Sequence, residues 1–177
     1  FGHEHYDVRA DLLCVGKGLS SSLPIAAVLG PAEVLDVLPP ATITTTHAGH
    51  PLSCAAALAN LDVIINEGLA EKAAKTGEVA RGELEKLQRQ FPNHIARVTG
   101  LGLLNAIHLR HPETGEPDRA FARDLAWAAV KRGVMLFHTG RATIKICPPL
   151  IIPPEAVIDG VAAIGEAMQD LCEVTDT

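Results

Sequence analysis

Aromatic residues are almost missing from this sequence: 177 residues contain one Trp, one Tyr and four Phe, 3% in all. Any core must therefore be filled by Ala, Leu, Val and Ile. No Cys-x-x-Cys pair occurs, and Cys14, Cys54, Cys147 and Cys172 stand far apart in apolar contexts. Zinc-ribbon and thioredoxin-like readings are thereby disfavoured, and buried reduced thiols of a cytosolic protein are expected. No basic cluster offsets the net charge of -6, which argues against nucleic acid or an anionic membrane surface as partner. No apolar run approaches the ~20 residues of a membrane span, and no segment reads as a signal peptide. His3/His5 and His47/His50 could begin a metal site, but no further ligands follow at metal-binding spacing, so no metal is expected.

What is present is 47% hydrophobic, with a mean hydropathy of +0.19. That is enough for one good-sized domain or two small pieces. The most informative stretch runs from Asp11 to Pro24. An apolar run, reading as a buried strand over residues 12–16, delivers Lys17 into a Gly/Ser-rich turn, Gly16-Lys17-Gly18-Leu19-Ser20-Ser21-Ser22, and a second apolar strand follows over residues 25–30. Core packing has no use for a lysine there, because removing its ammonium from water is costly. In such a setting its pKa falls, and the neutral amine becomes a nucleophile toward carbonyls. A phosphate-binding P-loop is excluded, since Asp11 stands where that motif needs glycine and Gly18 where it needs Ser or Thr. A solvated lysine in a flexible turn is the competing reading.

The second informative segment is Thr44-Thr45-Thr46-His47-Ala48-Gly49-His50-Pro51, which leads into an Ala/Leu-rich helix over residues 52–66 ending at Gly68. Proline suits the first helical turn. Hydroxyls at a helix N-terminus meet free N–H groups and a dipole that favours phosphate. An unliganded capping turn is the plainer alternative.

Other elements read as follows: a short helix over 31–38, a β-rich stretch over 41–45, and a helix over 69–90 despite Gly77 and Gly82. Strands follow over 95–98 and 103–109, with Gly100 and Gly102 flanking the bend between them. The loop 111–117 is a turn, and Asp118 caps a helix to about 132. Strands over 134–138 and 143–147, a break at Pro148-Pro149 and an amphipathic helix over 154–171 complete the chain. Residues 1–66 and 67–177 read as separate domains, the second a compact α+β domain with a mostly antiparallel sheet.

The stretch from Asp11 to Gly30, then Thr46 to Leu61, Gly100-Leu101-Gly102-Leu103-Leu104 and Pro148-Pro149-Leu150 together resemble the class III aminotransferases, in the right order and over nearly the whole chain. The resemblance implies an α/β fold, a partial fold type I pyridoxal-phosphate enzyme. Residues 1–66 would be a remnant of the large cofactor domain. Residues 67–177 would be the C-terminal small domain, with 69–90 as linking helix. It further implies that Lys17 holds pyridoxal 5'-phosphate through a Schiff base and shuttles the proton. Thr46 would bind the cofactor phosphate, commonly in the neighbouring subunit's site of a homodimer. The substrates would be an amine or amino acid and a 2-oxo acid, and the location cytoplasmic. Phe1 to Tyr6 resemble the segment just before the lysine strand. A glycine turn, a ring-stacking aromatic and a ring-nitrogen aspartate belong to the family upstream of it and are not found here.

Two positions depart from the family pattern. His50 stands where Asn is common. Lys145 stands where an arginine usually grips the substrate carboxylate, trading a planar fork for a point charge. Arg141, four residues earlier, would share Lys145's face if both lay on one strand and could then substitute. A racemase or decarboxylase of the same fold would use the same lysine. A C-terminal fragment that dimerises without cofactor is the non-enzymatic alternative.

Overall fold

The computed structural model describes residues 1–175. The chain divides into two compact units, Phe1–Glu67 and Gly68–Thr177.

In the first unit a 3-10 turn, Gly2–Tyr6, precedes strand β1 (Leu13–Val15), a second 3-10 turn (Lys17–Ser20), strand β2 (Ala27–Leu29), helix α1 (Ala32–Leu35) and helix α2 (Pro51–Asn66). β1 and β2 form an antiparallel hairpin with Cys14 opposite Val28. α2 packs against the Lys17–Ser20 turn. The alanine-rich sequence favours this helix, and Pro51 starts it at N1, where its missing N–H costs nothing. The expected buried strand is not found: Cys14 is exposed, Leu13 and Val15 are half-buried, and β2 is exposed throughout. Two short strands and one packed helix provide no second layer to cover them. Only Ser20, Ser53 and Ala57 are buried in this unit. The β-rich stretch 41–45 forms turns rather than a strand, bent by the bond from Thr42 N–H to Pro39 C=O at 3.2 Å.

The second unit has a true interior. Helix α3 (Leu69–Gln90), strands β3 (Ile95–Leu101) and β4 (Leu104–Leu109), helix α4 (Arg119–Lys131), strands β5 (Phe137–Thr139) and β6 (Thr143–Ile146) and helix α5 (Pro154–Thr175) follow in order. The strands form one antiparallel sheet in the order β3-β4-β6-β5. Leu84, Ile107, Leu125, Ile144 and Met168 are completely buried between that sheet and the helices. Apolar residues at helical spacing made α3 and α4 legible. The Asp118 carboxylate accepts from Phe121 N–H at 2.9 Å and sets the start of α4.

The glycine in mid-α3 has a packing reason. A Cβ on Gly77 would lie 2.3 Å from the Gly102 carbonyl carbon, so helix and hairpin meet backbone to backbone. Gly102 itself has φ +53, and its carbonyl accepts from Asn105 Nδ2 at 2.8 Å. β5 starts three residues later than the expected strand, because Val134 N–H turns back to Ala129 C=O at 3.0 Å to close α4. None of the four cysteines forms a disulfide among the described residues, and the expected burial fails: Cys14 and Cys147 are exposed, and Cys54 and Cys172 half-buried. Among the described residues no single helix is long and apolar enough to cross a membrane.

Candidate active site

Strand β1 ends at Gly16, and the chain there turns sharply. Lys17 takes φ +50, a left-handed conformation that side-chain-bearing residues avoid. Such backbone strain persists only where surrounding bonds enforce it. Leu19 N–H bonds Gly16 C=O at 3.1 Å, Ser21 N–H bonds Gly18 C=O at 3.2 Å, and the buried Ser20 hydroxyl donates to Leu23 C=O. From α2, the Asn60 amide donates both its hydrogens to the turn, to Gly18 C=O at 2.9 Å and Leu19 C=O at 3.0 Å. Asn60 escaped the sequence reading. Its signal was there: a polar, weak helix former inside an Ala/Leu run.

Lys17 stands at the rim of a cavity of about 610 Å³ walled by Val15, Leu19, Leu61 and Ile64. The residue is exposed, which corrects the expectation of a desolvated amine within this chain. The turn lies on the unit's surface, and β1 and α2 wall only one side of it. An amine anchored on a rigid turn over an apolar wall with open space beside Gly18 nevertheless suits a covalently held aromatic aldehyde.

Thr46 is exposed in the turn before α2, where Ala48 N–H bonds Thr45 C=O at 3.0 Å and His50 N–H bonds His47 C=O at 3.2 Å. No side chain caps α2, so its first N–H groups keep their capacity for an anion. Thr46 does not line the Lys17 cavity. This chain thus does not bring its own Thr46 and Lys17 into one pocket.

Lys145 lies on β6 between Ala106 of β4 and Phe137 of β5, exposed, beside a cavity of about 400 Å³ walled by Val134, Phe137, Pro149 and Ile152. Arg141 does not share its strand. It sits in the turn between β5 and β6, followed by Ala142 at φ +54, and lines a different cavity. The condition for Arg141 to substitute at Lys145's face is therefore not met, because the turn breaks the two-residue alternation. Among the described residues no group of three or more His, Cys, Asp or Glu could hold a metal.

The family profile described as Aminotransferase class-III matches residues 1–168. A protein of Bacillus subtilis named "Probable 4-aminobutyrate aminotransferase" is 36% identical over 93% of this chain, and an "Isoleucine 2-epimerase" of Lentilactobacillus buchneri is 38% identical over 91%. The solved acetylornithine aminotransferase from Elizabethkingia anophelis superposes with a TM-score of 0.84 at 38% identity over 94% of this chain. The chain spans 38% and 36% of those two relatives and 41% of that structure.

Proposed function

Because the chain belongs to the class III aminotransferases, we propose that it is the Lys17-bearing part of a pyridoxal-phosphate enzyme that moves an amino group from an amino acid or amine to a 2-oxo acid. The observation that carries this reading is Lys17 itself, held in a left-handed turn by the two Asn60 bonds at the mouth of an apolar cavity. When bound, the cofactor supplies an aldehyde and an electron-withdrawing ring. Lys17 Nζ would hold the group at its aldehyde end and, as a free amine, would take up and return a proton. Leu61 and Ile64 give the apolar wall beside that residue. The Thr46 hydroxyl and the uncapped N–H groups of α2 receive the phosphate in the neighbouring subunit's site, which makes the assembly a homodimer with shared sites. Its separation from the Lys17 cavity supports that division. Lys145 meets the substrate carboxylate as a single charge. Residues Phe1–Glu67 represent part of the cofactor domain and Gly68 onward the small domain, and the reading includes a cytoplasmic location.

A second reading has a specific basis in the relative named "Isoleucine 2-epimerase": the same lysine returning the proton to the opposite face of the same carbon. The test is to add pyridoxal phosphate to the whole protein carrying this chain, reduce with borohydride and map the modified peptide. Modification at Lys17, lost in Lys17→Ala, is expected. Amino-group transfer to a 2-oxo acid, against chiral analysis of the donor, separates transferase from epimerase. A visible band that persists in Lys17→Ala would overturn the assignment of the lysine.

A further inference from the structure

The sheet of the second unit has one face on its helices and one face free of them. Cross-strand pairing places Arg97 of β3, His108 of β4 and Thr143 of β6 side by side on the second face. They line a cavity of about 310 Å³ together with Arg110, Arg141 and the loop residue Pro117. Arg110 is fixed there: its backbone pairs with Pro117, and its guanidinium donates to Pro92 C=O at 2.7 Å. Arg141 comes from the tight turn between β5 and β6. Arg97, Arg110, Arg141 and His108 thus line one small space that no carboxylate lines, with the Arg97 and Arg141 guanidinium groups making no hydrogen bond or ion pair of their own among the described residues. Among the described residues none of the three arginines is ion-paired.

This is unusual in a chain with 21 acidic and 15 basic side chains. Like charges gathered without counter-charge repel one another, and an arginine fork is built to hold oxyanions through paired N–H donors. The volume lies at the low end of the ~300–1,000 Å³ typical of small-ligand sites. We propose that this cavity, whose lining does not include Lys17, binds a small, multiply charged oxyanion, a phosphate group, independently of the aminotransferase reading.

His108 reports on the same space. Its Nε2 bonds Thr99 Oγ1 at 2.9 Å and its Nδ1 bonds Thr143 Oγ1 at 3.2 Å, which fixes the ring. Burial, and then the Arg97 charge, hold its pKa below the ordinary histidine value. Arg97 is the charge that acts on the ring; Arg110 just beyond β4 and Arg141 in the β5–β6 turn line the same cavity, and Lys145 lies two residues along β6 from Thr143. A bound dianion offsets these cations, favours the imidazolium and moves the pKa upward.

The experiment titrates the cofactor-free protein with inorganic phosphate, and in a parallel arm with glycerol 3-phosphate, against sodium chloride of equal ionic strength. Binding is read by calorimetry and His108 by NMR. Saturable phosphate binding that raises the His108 midpoint is expected, with Arg97→Gln and Arg141→Gln each weakening it about tenfold. Tighter binding of the ester identifies a phosphorylated metabolite as the source, and equal binding identifies free phosphate. Both arginines are exposed, so the variants fold, and circular dichroism checks this. Thr46→Val controls for phosphate at the start of α2. The proposal falls if phosphate acts no differently from chloride. It also falls if Thr46→Val abolishes binding while the arginine variants do not.

Discussion

Replacing Asn60 by alanine tests whether α2 holds the lysine turn in place. The two donated bonds reach Gly18 and Leu19, the residues directly after Lys17. Each such bond contributes a net ~0.5–1.5 kcal/mol. Water can reach the exposed Gly18 carbonyl after the change, and alanine improves the helix by about 0.5 kcal/mol. The remaining loss is about 1 kcal/mol, felt at the turn, or roughly a fivefold rise in its opening. Hydrogen exchange at the Leu19 and Ser21 amides, which close the turn on Gly16 and Gly18, measures it. Asn60→Asp should open the turn further, because a carboxylate would then face two carbonyl oxygens. Borohydride trapping of pyridoxal phosphate at Lys17 should fall in the same order. Unchanged exchange in both variants would refute the claim that Asn60 positions the lysine.

Two pairs of substitutions test the backbone. At Lys17 the left-handed φ costs a side-chain-bearing residue about 1 kcal/mol relative to glycine, so Lys17→Gly should unfold at higher denaturant than Lys17→Ala; equal midpoints would mean that the turn is not strained. In α3, Gly77→Ala drives a Cβ into the Gly102 backbone and should cost about 3 kcal/mol, whereas Gly82→Ala meets nothing within 4 Å and should gain up to about 1 kcal/mol. A calorimetric melt of the pair checks both signs.

The second unit was readable because each of its helices carries its own stripe. Leu69, Ala73, Ala80, Leu84 and Leu87 fall on one face of α3, and all are buried. Its two mid-helix glycines could not be told apart by sequence: one lies against Gly102 and the other against nothing, and only the fold distinguishes them. The first unit was harder. Ala41 to Thr45 have strand-like composition but no partner strand, and a strand without one does not form. The apolar run ending in Gly16 suggested burial, and composition cannot say what covers a hairpin. At the site, Lys17 stood out as a charge where packing wants none. Arg141 misled because a four-residue separation implies a shared face only if no turn intervenes, and Gly140 and Ala142 make one. Asn60 was passed over because nothing local links it to a turn 42 residues earlier.

The unequal interiors of the two units have a consequence for handling this polypeptide. Gly68 onward encloses a continuous oily centre and can hold its shape by solvent exclusion alone. Phe1 to Glu67 leave Val28, Leu29, Leu52, Leu58 and Ile65 wet, so a protease or a rise in temperature would find those residues first, and an excised N-terminal piece would be sticky rather than self-supporting.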